Sequence, residues 1–366
     1  MVKILHVVND LKKNGTETFI MNMFRNIDRR KYTFDFLVHS NDKSGFYNEI
    51  IELGGKIHVL PSRRENFLKY HKHLNSFFSI FSNEYNAVHM HSMSLTTLAP
   101  LYYAKKYNIK TRIFHIHASY CQGFHNIFLH KINKLRLFNV ANYYFSCSHP
   151  ASKWGYSGTS CFKNSLIIPN GINLEKFRFN KDARDKIRKS LNVNQDDFMI
   201  IHIGTFNSIK NHKFLIDIFS ELKKYKHKKN LKLVCVGNGP LHNSIIEYSK
   251  YKNVDKKTLF LGKRDDITDL LSSADLMLMP SLHEGLGIAL IEAQASGLPV
   301  IASTGVPEEV KFTDQFYFIP LENQSAWLNK VLDIIKMNYT CRDIKKLSHR
   351  YDIKETLRIV TKIYDI

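Results

Sequence analysis

Short runs of β-branched and aromatic residues alternate with helical patterns along most of the chain. Residues 2–8 form the first such run, and a loop with Gly15 and apolar residues at helical spacing follow it. The same order recurs as far as residues 111–115 and begins again at residues 199–203. Strands and helices that alternate in this way favour parallel sheets covered by helices on both faces. We therefore predict an α/β protein with two doubly wound, Rossmann-like domains.

The length of the chain agrees with two domains. A chain of 366 residues suits two domains of about 150–200 residues each. A Pro-Asn-Gly turn at residues 169–171 is the best candidate for the junction. We place the first domain at residues 1–172 and the second at residues 173–349, and we expect a helix at about residues 350–366 to pack back on the first domain. Because ligands bind at the carboxyl ends of parallel strands, the functional site is expected in a cleft between the domains.

The chain is strongly basic. It has 53 Lys and Arg residues against 33 Asp and Glu, a net charge of +20, of which residues 1–180 carry +14 and residues 181–366 carry +6. A solvated surface, a nucleic acid and an anionic membrane are all compatible with this excess. The sequence contains no zinc finger, helix-turn-helix signature or RNA-recognition aromatic motif, which disfavours a nucleic acid. The charge of the first half favours a membrane surface.

Composition excludes several other classes of protein. Hydrophobic residues make up 44% of the chain and charged residues 23%, as in ordinary globular proteins. No run approaches the ~18–20 apolar residues that cross a bilayer, and the apolar run at residues 4–8 is too short for a signal peptide. Five widely spaced cysteines without a Cys-x-x-Cys pair favour free thiols. We expect a cytoplasmic protein, peripheral on the inner face of the cell membrane.

Residues 280–292 are the most informative segment. They follow a strand, and Gly285 and Gly287 free the backbone where a helix is expected to begin. Amides at a helix N-terminus bind anions such as a diphosphate. Glu284 and Glu292 are eight residues apart, just over two helical turns, so we expect both carboxylates on roughly one face, where they can accept hydrogen bonds from sugar hydroxyls. Two solvated surface glutamates are the alternative.

These residues resemble the retaining glycosyltransferase family 4, which has the GT-B fold of two Rossmann-like domains. The pattern Glu-x7-Glu and the run Glu-Ala-Gln-Ala-Ser-Gly-Leu-Pro-Val at residues 292–300 carry the resemblance, which is strongest to bacterial enzymes of capsule and exopolysaccharide synthesis. The resemblance implies that Glu284 faces the donor sugar hydroxyls and that Glu292 holds the nucleotide ribose. It also implies that backbone amides cradle the diphosphate at Gly285, Leu286, Gly287 and Ile288.

Further segments agree with this family in the same order along the chain. Residues 168–173 resemble its interdomain Pro-Asn-Gly segment, and residues 237–241 resemble its Gly-x-Gly-Pro-Leu turn. Residues 262–267 match a stretch whose backbone lies near the base. The resemblance therefore implies donor contacts at several glycines and one arginine, namely Gly15, Gly204, Gly237, Gly262 and Arg264.

Lys210 is the candidate cation for the diphosphate. The family usually has Gly-Arg at the end of the first strand of its second domain, and a Lys five residues after the Arg. Lys210 matches that Lys and would supply a point charge, whereas Thr205 replaces the Arg. His212, Lys213 or a basic residue of the first domain could compensate for the missing charge.

Two histidine pairs, His89-x-His91 and His115-x-His117, lie where two predicted strands end. Alternation along a strand puts both members of a pair on one face, so metal binding must be weighed. We expect no metal, because there is no third ligand at helical spacing and no acidic cluster beside the pairs. The resemblance implies that His117 contacts the donor sugar or the departing phosphate, and buried structural histidines are the alternative. The catalytic candidates are His117, Glu284 and Lys210.

The loop Asn14-Gly15-Thr16-Glu17 follows the first strand. The family commonly has Gly-Gly at its first two positions, which lets the backbone approach the phosphate or the acceptor. Asn14 replaces the first glycine, and Asn tolerates a positive φ. With the donor assigned to the second domain, the acceptor is expected to meet the first, where the candidate residues are Asn14, Thr16, His91 and His115.

The expected activity is that of a retaining hexosyl- or N-acetylhexosaminyl-transferase. It would move a sugar from a nucleotide sugar, a UDP-sugar by resemblance, to a lipid-linked saccharide acceptor in surface polysaccharide biosynthesis. The expected partners are the donor, the acceptor and an anionic membrane surface that the basic first domain contacts, with no nucleic acid, no cofactor and no metal. The alternatives are a basic nucleic-acid-binding protein and a GT-B relative that is non-catalytic or that hydrolyses or epimerises nucleotide sugars.

Overall fold

The chain forms two compact units in the computed structural model, which describes residues 1–63, 66–225, 229–337, 342 and 349–366. The first unit is Met1–Ile172 together with His349–Ile366, and the second is Asn173–Ser348. The chain passes from the first unit to the second after Ile172, next to the Pro-Asn-Gly turn. Each unit is built on one parallel sheet, as the alternation of strands and helices predicts.

The sheet of the first unit consists of short parallel strands. They are β1 (Val2–Val7), β2 (Tyr32–Val38), β3 (Ile57–Val59), β4 (Ala87–Ser92), β5 (Thr111–Ile116), β6 (Tyr143–Ser146) and β7 (Ser165–Ile167). Their order across the sheet is β3-β2-β1-β4-β5-β6-β7. The central position of β1 between β2 and β4 is the switch in strand order that creates a ligand crevice in doubly wound folds.

Helices connect these strands. They are α1 (Gly15–Asn26), α2 (Tyr47–Glu52), α3 (Phe67–Phe81), α4 (Ala99–Lys106), α5 (Phe124–Arg136), α6 (His149–Tyr156) and α7 (Ser160–Lys163). The helix α3 begins earlier than residue 74, where the apolar pattern becomes clear, because the Asn66 side chain caps it by accepting a hydrogen bond from the Lys69 amide at 2.8 Å.

The second unit repeats this architecture with a six-stranded sheet. Its strands are β8 (Phe198–Ile203), β9 (Leu231–Val236), β10 (Thr258–Phe260), β11 (Leu276–Met279), β12 (Val300–Ser303) and β13 (Phe316–Ile319). Their order is β10-β9-β8-β11-β12-β13, and the pairs are parallel. The carboxyl ends of β8, β9 and β10 therefore lie side by side.

The helices of the second unit cover this sheet. They are α8 (Lys181–Ser190), α9 (His212–Leu222), α10 (His242–Tyr251), α11 (Ile267–Ser273), α12 (Ile288–Ala295) and α13 (Gln324–Met337). Phe214 of α9 packs edge to face on Trp327 of α13, which is fully buried, with 5.3 Å between the ring centroids. Aromatic packing of this kind stabilises the apolar core that holds the strand ends in place.

The C-terminal helix α14 (Ile353–Tyr364) packs against the first unit. Ile172 forms a parallel bridge with Asp352, and Thr356 donates a hydrogen bond to the Pro169 carbonyl at 2.8 Å. A Cβ on Gly171 would lie 2.8 Å from the Cα of Ile353, so only glycine fits at this position. The Pro-Asn-Gly turn therefore marks the place where the end of the chain docks.

Among the described residues, no helix combines the length and the apolar character that are needed to cross a bilayer.

Candidate active site

The glycine turns at the ends of β8, β9 and β10 contact one another. Gly204 donates its amide hydrogen to the Val236 carbonyl at 2.9 Å, and Gly237 donates to the Gly262 carbonyl at 2.8 Å. A Cβ on Gly237, whose φ is +135°, would overlap the carbonyl oxygen of Gly204. The structure thus brings together three glycines that the sequence assigned to donor binding, and close packing on the backbone of Gly204 is one reason why glycine is needed at position 237.

Lys210 and Glu284 form a partly buried ion pair beside these turns. Lys210 Nζ lies 2.5 Å from Glu284 Oε1, and the two side chains are 19% and 10% exposed. The hydroxyl of Ser281 donates to the same carboxylate oxygen at 2.7 Å. The side chain of Lys210 also passes Gly204, where an added Cβ would lie 3.1 Å from its Cδ. Two candidates from distant parts of the sequence therefore meet in one site.

The helix after Glu284 begins later than the sequence predicts. Its first residue is Ile288, and Gly287 is the N-cap with φ +90°, a conformation that favours glycine. Gly285 and Leu286 belong to the preceding loop, in which the Leu286 side chain is buried. The predicted reason for placing Glu284 and Glu292 on one helical face is therefore wrong, because Glu284 lies outside the helix.

Glu292 lies within α12 and is chemically distinct from Glu284. Burial raises the pKa of its carboxyl group to about 7, and the positive charge of Lys176 opposes this effect in part. Within the part of the chain that the structure describes, its carboxyl group makes no hydrogen bond. A half-buried carboxyl group with open hydrogen-bonding capacity is suited to bind ligand hydroxyls.

Thr205 stands in place of an arginine, and His212 does not supply the positive charge that is missing there. This side chain is buried, neither ring nitrogen has a partner among the described residues, and the ring stacks on Phe206 at 3.9 Å. Burial above all, with a smaller contribution from nearby His202 and Lys210, lowers the pKa of His212 to about 2. The ring is therefore neutral at pH 7. Lys213 is exposed, and its ammonium group lies 5.2 Å from the centre of the Tyr248 ring.

Arg264 is already engaged by a neighbour. Its Nε donates to Asp266 Oδ1 at 2.8 Å, and its Nη2 donates to Asp266 Oδ2 at 2.5 Å. The two groups are about one third exposed. A bidentate pair of this kind fixes the guanidinium group next to Gly262, where the resemblance implies contacts near the base.

In the first unit, the loop after β1 ends at the N-terminus of α1. Asn14 is the N-cap with φ −106° and ψ 177°, so the positive φ that the sequence analysis allowed for is not adopted. A Cβ on the exposed Gly15 would meet no atom within 4 Å, and its φ is not positive. The fold therefore does not demand glycine there. The Thr16 hydroxyl contacts the Met93 sulfur at 4.0 Å.

Five histidines form a buried cluster on one face of the first sheet. The parallel register puts His6 beside His89 and His91 beside His115, and alternation adds His117. His91 bridges two neighbours, with 2.9 Å from its Nε2 to His6 Nδ1 and 2.9 Å from its Nδ1 to His117 Nε2. A second chain runs from Tyr364 Oη to His89 Nδ1 at 2.7 Å and from His89 Nε2 to His115 Nδ1 at 3.2 Å.

Burial keeps these five rings neutral. It lowers the pKa of His6 and of His117 to about 3, and it holds those of the other three well below the ordinary value of 6.5. A histidine with so low a pKa does not act as a simple base at neutral pH, in agreement with a contact role for His117. The sequence analysis missed His6, although its place on a strand with the same alternation was a usable signal.

Two parallel doubly wound units, with glycine turns and a Lys–Glu pair at strand ends in the second, define a GT-B glycosyltransferase. The family models agree, since "Glycosyltransferase Family 4" matches residues 13–176 and "Glycosyl transferases group 1" matches residues 183–350.

Three known proteins illustrate the similarity. The putative glycosyltransferase EpsF of Bacillus subtilis (strain 168) is 33% identical over 315 residues, which cover 84% of this chain and 80% of the relative. An Escherichia coli protein named UDP-Gal:alpha-D-GlcNAc-diphosphoundecaprenol alpha-1,3-galactosyltransferase is 32% identical over 215 residues, covering 55% of this chain and 53% of the relative. Anabaena Alr3699/HepE, solved with UDP and glucose, superimposes with a TM-score of 0.82 over all of both chains at 16% identity. The chain belongs to the family 4 glycosyltransferases.

Proposed function

We propose that this glycosyltransferase moves a sugar from a UDP-sugar to a lipid-linked saccharide acceptor in surface polysaccharide biosynthesis, with retention at the anomeric carbon. The observation that carries the proposal is the Lys210–Glu284 pair beside the glycine turns that follow β8, β9 and β10. The UDP and glucose of the Anabaena structure support the donor class, and the name of the E. coli relative supports both donor and acceptor.

In this proposal the second unit binds the donor. Lys210 has three N–H donors, so its ammonium group can keep one hydrogen bond to Glu284 and direct the others to the diphosphate. The first-turn amides of α12 add positive potential. Glu292, whose carboxyl group has no hydrogen bond to the described residues, binds the ribose hydroxyls. No metal ion is required at the diphosphate.

The proposed reaction proceeds on one face of the sugar. The acceptor oxygen forms a bond to the anomeric carbon while the bond from that carbon to the diphosphate oxygen breaks. The acceptor proton passes to the departing phosphate, so no side chain serves as covalent nucleophile. In the first unit, His117 contacts the sugar or the phosphate, and the acceptor lies near Asn14, Thr16, His91 and His115. The fold itself does not require glycine at position 15. In this proposal Gly15 lets the acceptor or the phosphate approach the backbone.

A nucleotide-sugar screen tests the donor assignment. We expect UDP-sugars to raise the melting temperature more than GDP- or ADP-sugars, and we expect one of them to give radiolabelled product on a lipid-linked saccharide with retained anomeric configuration. Glu292→Ala should weaken UDP-sugar binding by about tenfold or more, because it removes hydrogen bonds to the ribose. Failure of every nucleotide sugar to bind would contradict the proposal, and release of free sugar without acceptor would identify a hydrolase instead.

We assign the proposed membrane contact to the surface of the helix α5. Phe124, Phe128 and Leu135 on α5 are 86%, 54% and 65% exposed, and Phe138, just beyond it, is 56% exposed. These positions and the exposed Lys131 recur at helical spacing on one face. Residues 101–150 contain seven Lys and Arg and no Asp or Glu. Exposed apolar side chains among basic ones are the pattern of a helix that lies in the interface of an anionic membrane.

The membrane contact predicts salt-sensitive binding to vesicles. The protein is expected to bind vesicles with anionic lipid more tightly than neutral ones, and the double change Phe124→Asp and Phe128→Asp should reduce this binding by at least tenfold, since it replaces inserted rings with charges. Tyr251→Asp, on an exposed ring of α10 in the second unit, is the matched control and should bind normally. Equal binding to neutral and anionic vesicles would refute the electrostatic part, and tight binding to RNA or DNA at the same salt would favour a nucleic-acid partner.

A further inference from the structure

The buried histidine cluster of the first unit offers more nitrogen ligands than its hydrogen bonds use. Its members come from three adjacent strands or their ends, β1, β4 and β5. One ring nitrogen each of His91, His115 and His117 lies within 4.8 Å of the other two. The sequence analysis expected no metal for lack of a third ligand at helical spacing, but strand pairing supplies a third imidazole that sequence spacing does not reveal.

We infer that His91, His115 and His117 bind a divalent transition-metal ion of the zinc class. All three offered atoms are imidazole nitrogens, which suit Zn²⁺, Co²⁺ and Ni²⁺ rather than Mg²⁺ or Ca²⁺. Three imidazoles and one water form a common tetrahedral zinc site. His91 also belongs to the alternative triad, whose other members His6 and His89 are fully buried, whereas His117 is 7% exposed and so lies nearer to an entry path.

The hydrogen bonds already orient each ligand. His115 Nδ1 faces His89 Nε2, so Nε2 of His115 is the nitrogen left for a metal, and it has no partner among the described residues. His91 Nε2 faces His6 Nδ1, which leaves Nδ1 of His91 for the ion. That atom faces His117 Nε2 at 2.9 Å. Each of the three rings can therefore offer one nitrogen to the ion, once the proton that His91 and His117 share moves to Nδ1 of His117.

The residues that form hydrogen bonds around the three ligands support the proposed metal site. If His115 donates its Nδ1–H to His89 Nε2, then His89 donates its own Nδ1–H to Tyr364 Oη, which lies 2.7 Å away. If His91 donates Nε2–H to His6, the lone pair on its Nδ1 points to the ion. This pattern, in which the second nitrogen of a ligating histidine donates to a fixed partner, is the usual support of metal-bound imidazoles.

The three ligand nitrogens lie within 4.8 Å of one another, and the His91–His117 pair needs only a small adjustment. Zinc–nitrogen bonds of about 2.0–2.1 Å with tetrahedral angles place ligand nitrogens about 3.3–3.4 Å apart. The pair His91 Nδ1 and His117 Nε2 would open by roughly half an ångström from its hydrogen-bonded distance of 2.9 Å. Nδ1 of His117 has no partner in the described part of the chain. It stays available for the proposed contact with the nucleotide-sugar donor. The metal inference does not depend on that contact.

A cobalt titration of the full-length, tag-free protein tests the site. After treatment with a chelator, Co²⁺ is expected to bind at one equivalent per chain with the visible absorption of tetrahedral coordination, and Zn²⁺ should displace it. Tyr364→Phe should weaken binding by up to about tenfold, because it removes the hydrogen bond that fixes His89, the partner of the ligand His115, while keeping the buried ring. His115→Phe should abolish the spectrum, and His125→Asn, on an exposed histidine of the same unit, should leave it unchanged.

X-ray absorption spectroscopy of the zinc-bound wild-type protein is the second measurement. It tests the site even if His115→Phe fails to fold. Three imidazole nitrogens in the first coordination shell are expected. Absence of stoichiometric binding, unchanged binding in both Tyr364→Phe and a folded His115→Phe, or a shell of oxygen or sulfur ligands would overturn the inference. Sugar transfer is measured separately, so loss of activity with intact metal binding would count against the proposed function alone.

Discussion

Replacing Lys210 with alanine is expected to lower the rate constant of sugar transfer by about 10²–10³-fold, the usual cost of removing one preorganised donor at a developing oxyanion. Its ammonium group is held 2.5 Å from Glu284 and is only 19% exposed, so it acts where water screens it poorly. Thr205 stands where the family usually has an arginine, and His212 is neutral. The diphosphate therefore depends on Lys210 more than it would in a relative with both cations.

The kinetic constants that change in Lys210→Ala distinguish a loss of catalysis from a loss of folding. Steady-state kinetics should show the loss mainly in kcat, because the charge on the departing phosphate develops in the transition state. Lys210→Arg should recover part of the rate, since it keeps the charge but changes the geometry. Lys213→Ala is the matched control three residues away and should retain full activity, because its exposed side chain lies over the ring of Tyr248. A Lys210→Ala enzyme with near-normal kcat would refute the assigned role.

The fold could be predicted from the sequence where the local signal was strong. The apolar run at residues 231–236, which Gly237 ends, predicts the strand Leu231–Val236, and the periodic segment at residues 267–273 predicts the helix Ile267–Ser273; both elements have these bounds in the structure. The start of α12 was predicted too early. Gly285 and Gly287 look alike in sequence, yet only Gly287 adopts the positive φ of an N-cap. Which glycine ends a loop is decided by tertiary packing, and one sequence does not record it.

The sequence suggested the candidate residues one by one, but not the contacts between them. Lys210 and Glu284 are 74 positions apart, and their ion pair depends on the order of β8 and β11 in the sheet. The histidine cluster illustrates the same limit. Its two pairs were visible in the sequence, whereas the contribution of His6 follows from the pairing of β1 with β4. Strand order is a global property, so spacing along the chain could not reveal a triad assembled across strands.

Acidification from pH 7.5 to pH 5 is expected to lower the stability of the second unit by about 2–4 kcal/mol through His202 and His212, a loss that Glu292, whose pKa is about 7 in the folded unit, offsets in part by taking up a proton. Both side chains are buried, and their rings lie 4.5 Å apart. Burial lowers the pKa of His202 to about 4 and that of His212 to about 2, whereas the ordinary value is 6.5. Below pH 6.5 the unfolded chain therefore binds protons that the folded unit does not. The stabilisation is complete above pH 6.5 and is lost as the pH falls toward 4.

Tryptophan fluorescence can follow this effect in the second unit alone. The chain has two tryptophans, and Trp154→Phe leaves Trp327, which is fully buried in the second unit, as the reporter. A phenylalanine at position 154 keeps an aromatic ring against His130, on which Trp154 stacks at 4.0 Å. Urea unfolding of this variant at pH 7.5 and pH 5 should give the free energies of unfolding to be compared.

In that background, His212→Phe should reduce the loss of stability between the two pH values by about 2 kcal/mol, the contribution of one such histidine at pH 5. The change removes no hydrogen bond to the described residues, since both ring nitrogens lack partners there, and a phenyl ring can keep the stack on Phe206. His283→Gln, on an exposed histidine of the same unit, should leave the pH dependence unchanged. If His212→Phe loses as much stability as the parent, the cost of protonating His212 is not what limits the acid stability of this unit. If it loses less, the neutral ring that stands near Thr205 is also a group that makes the second unit sensitive to acid.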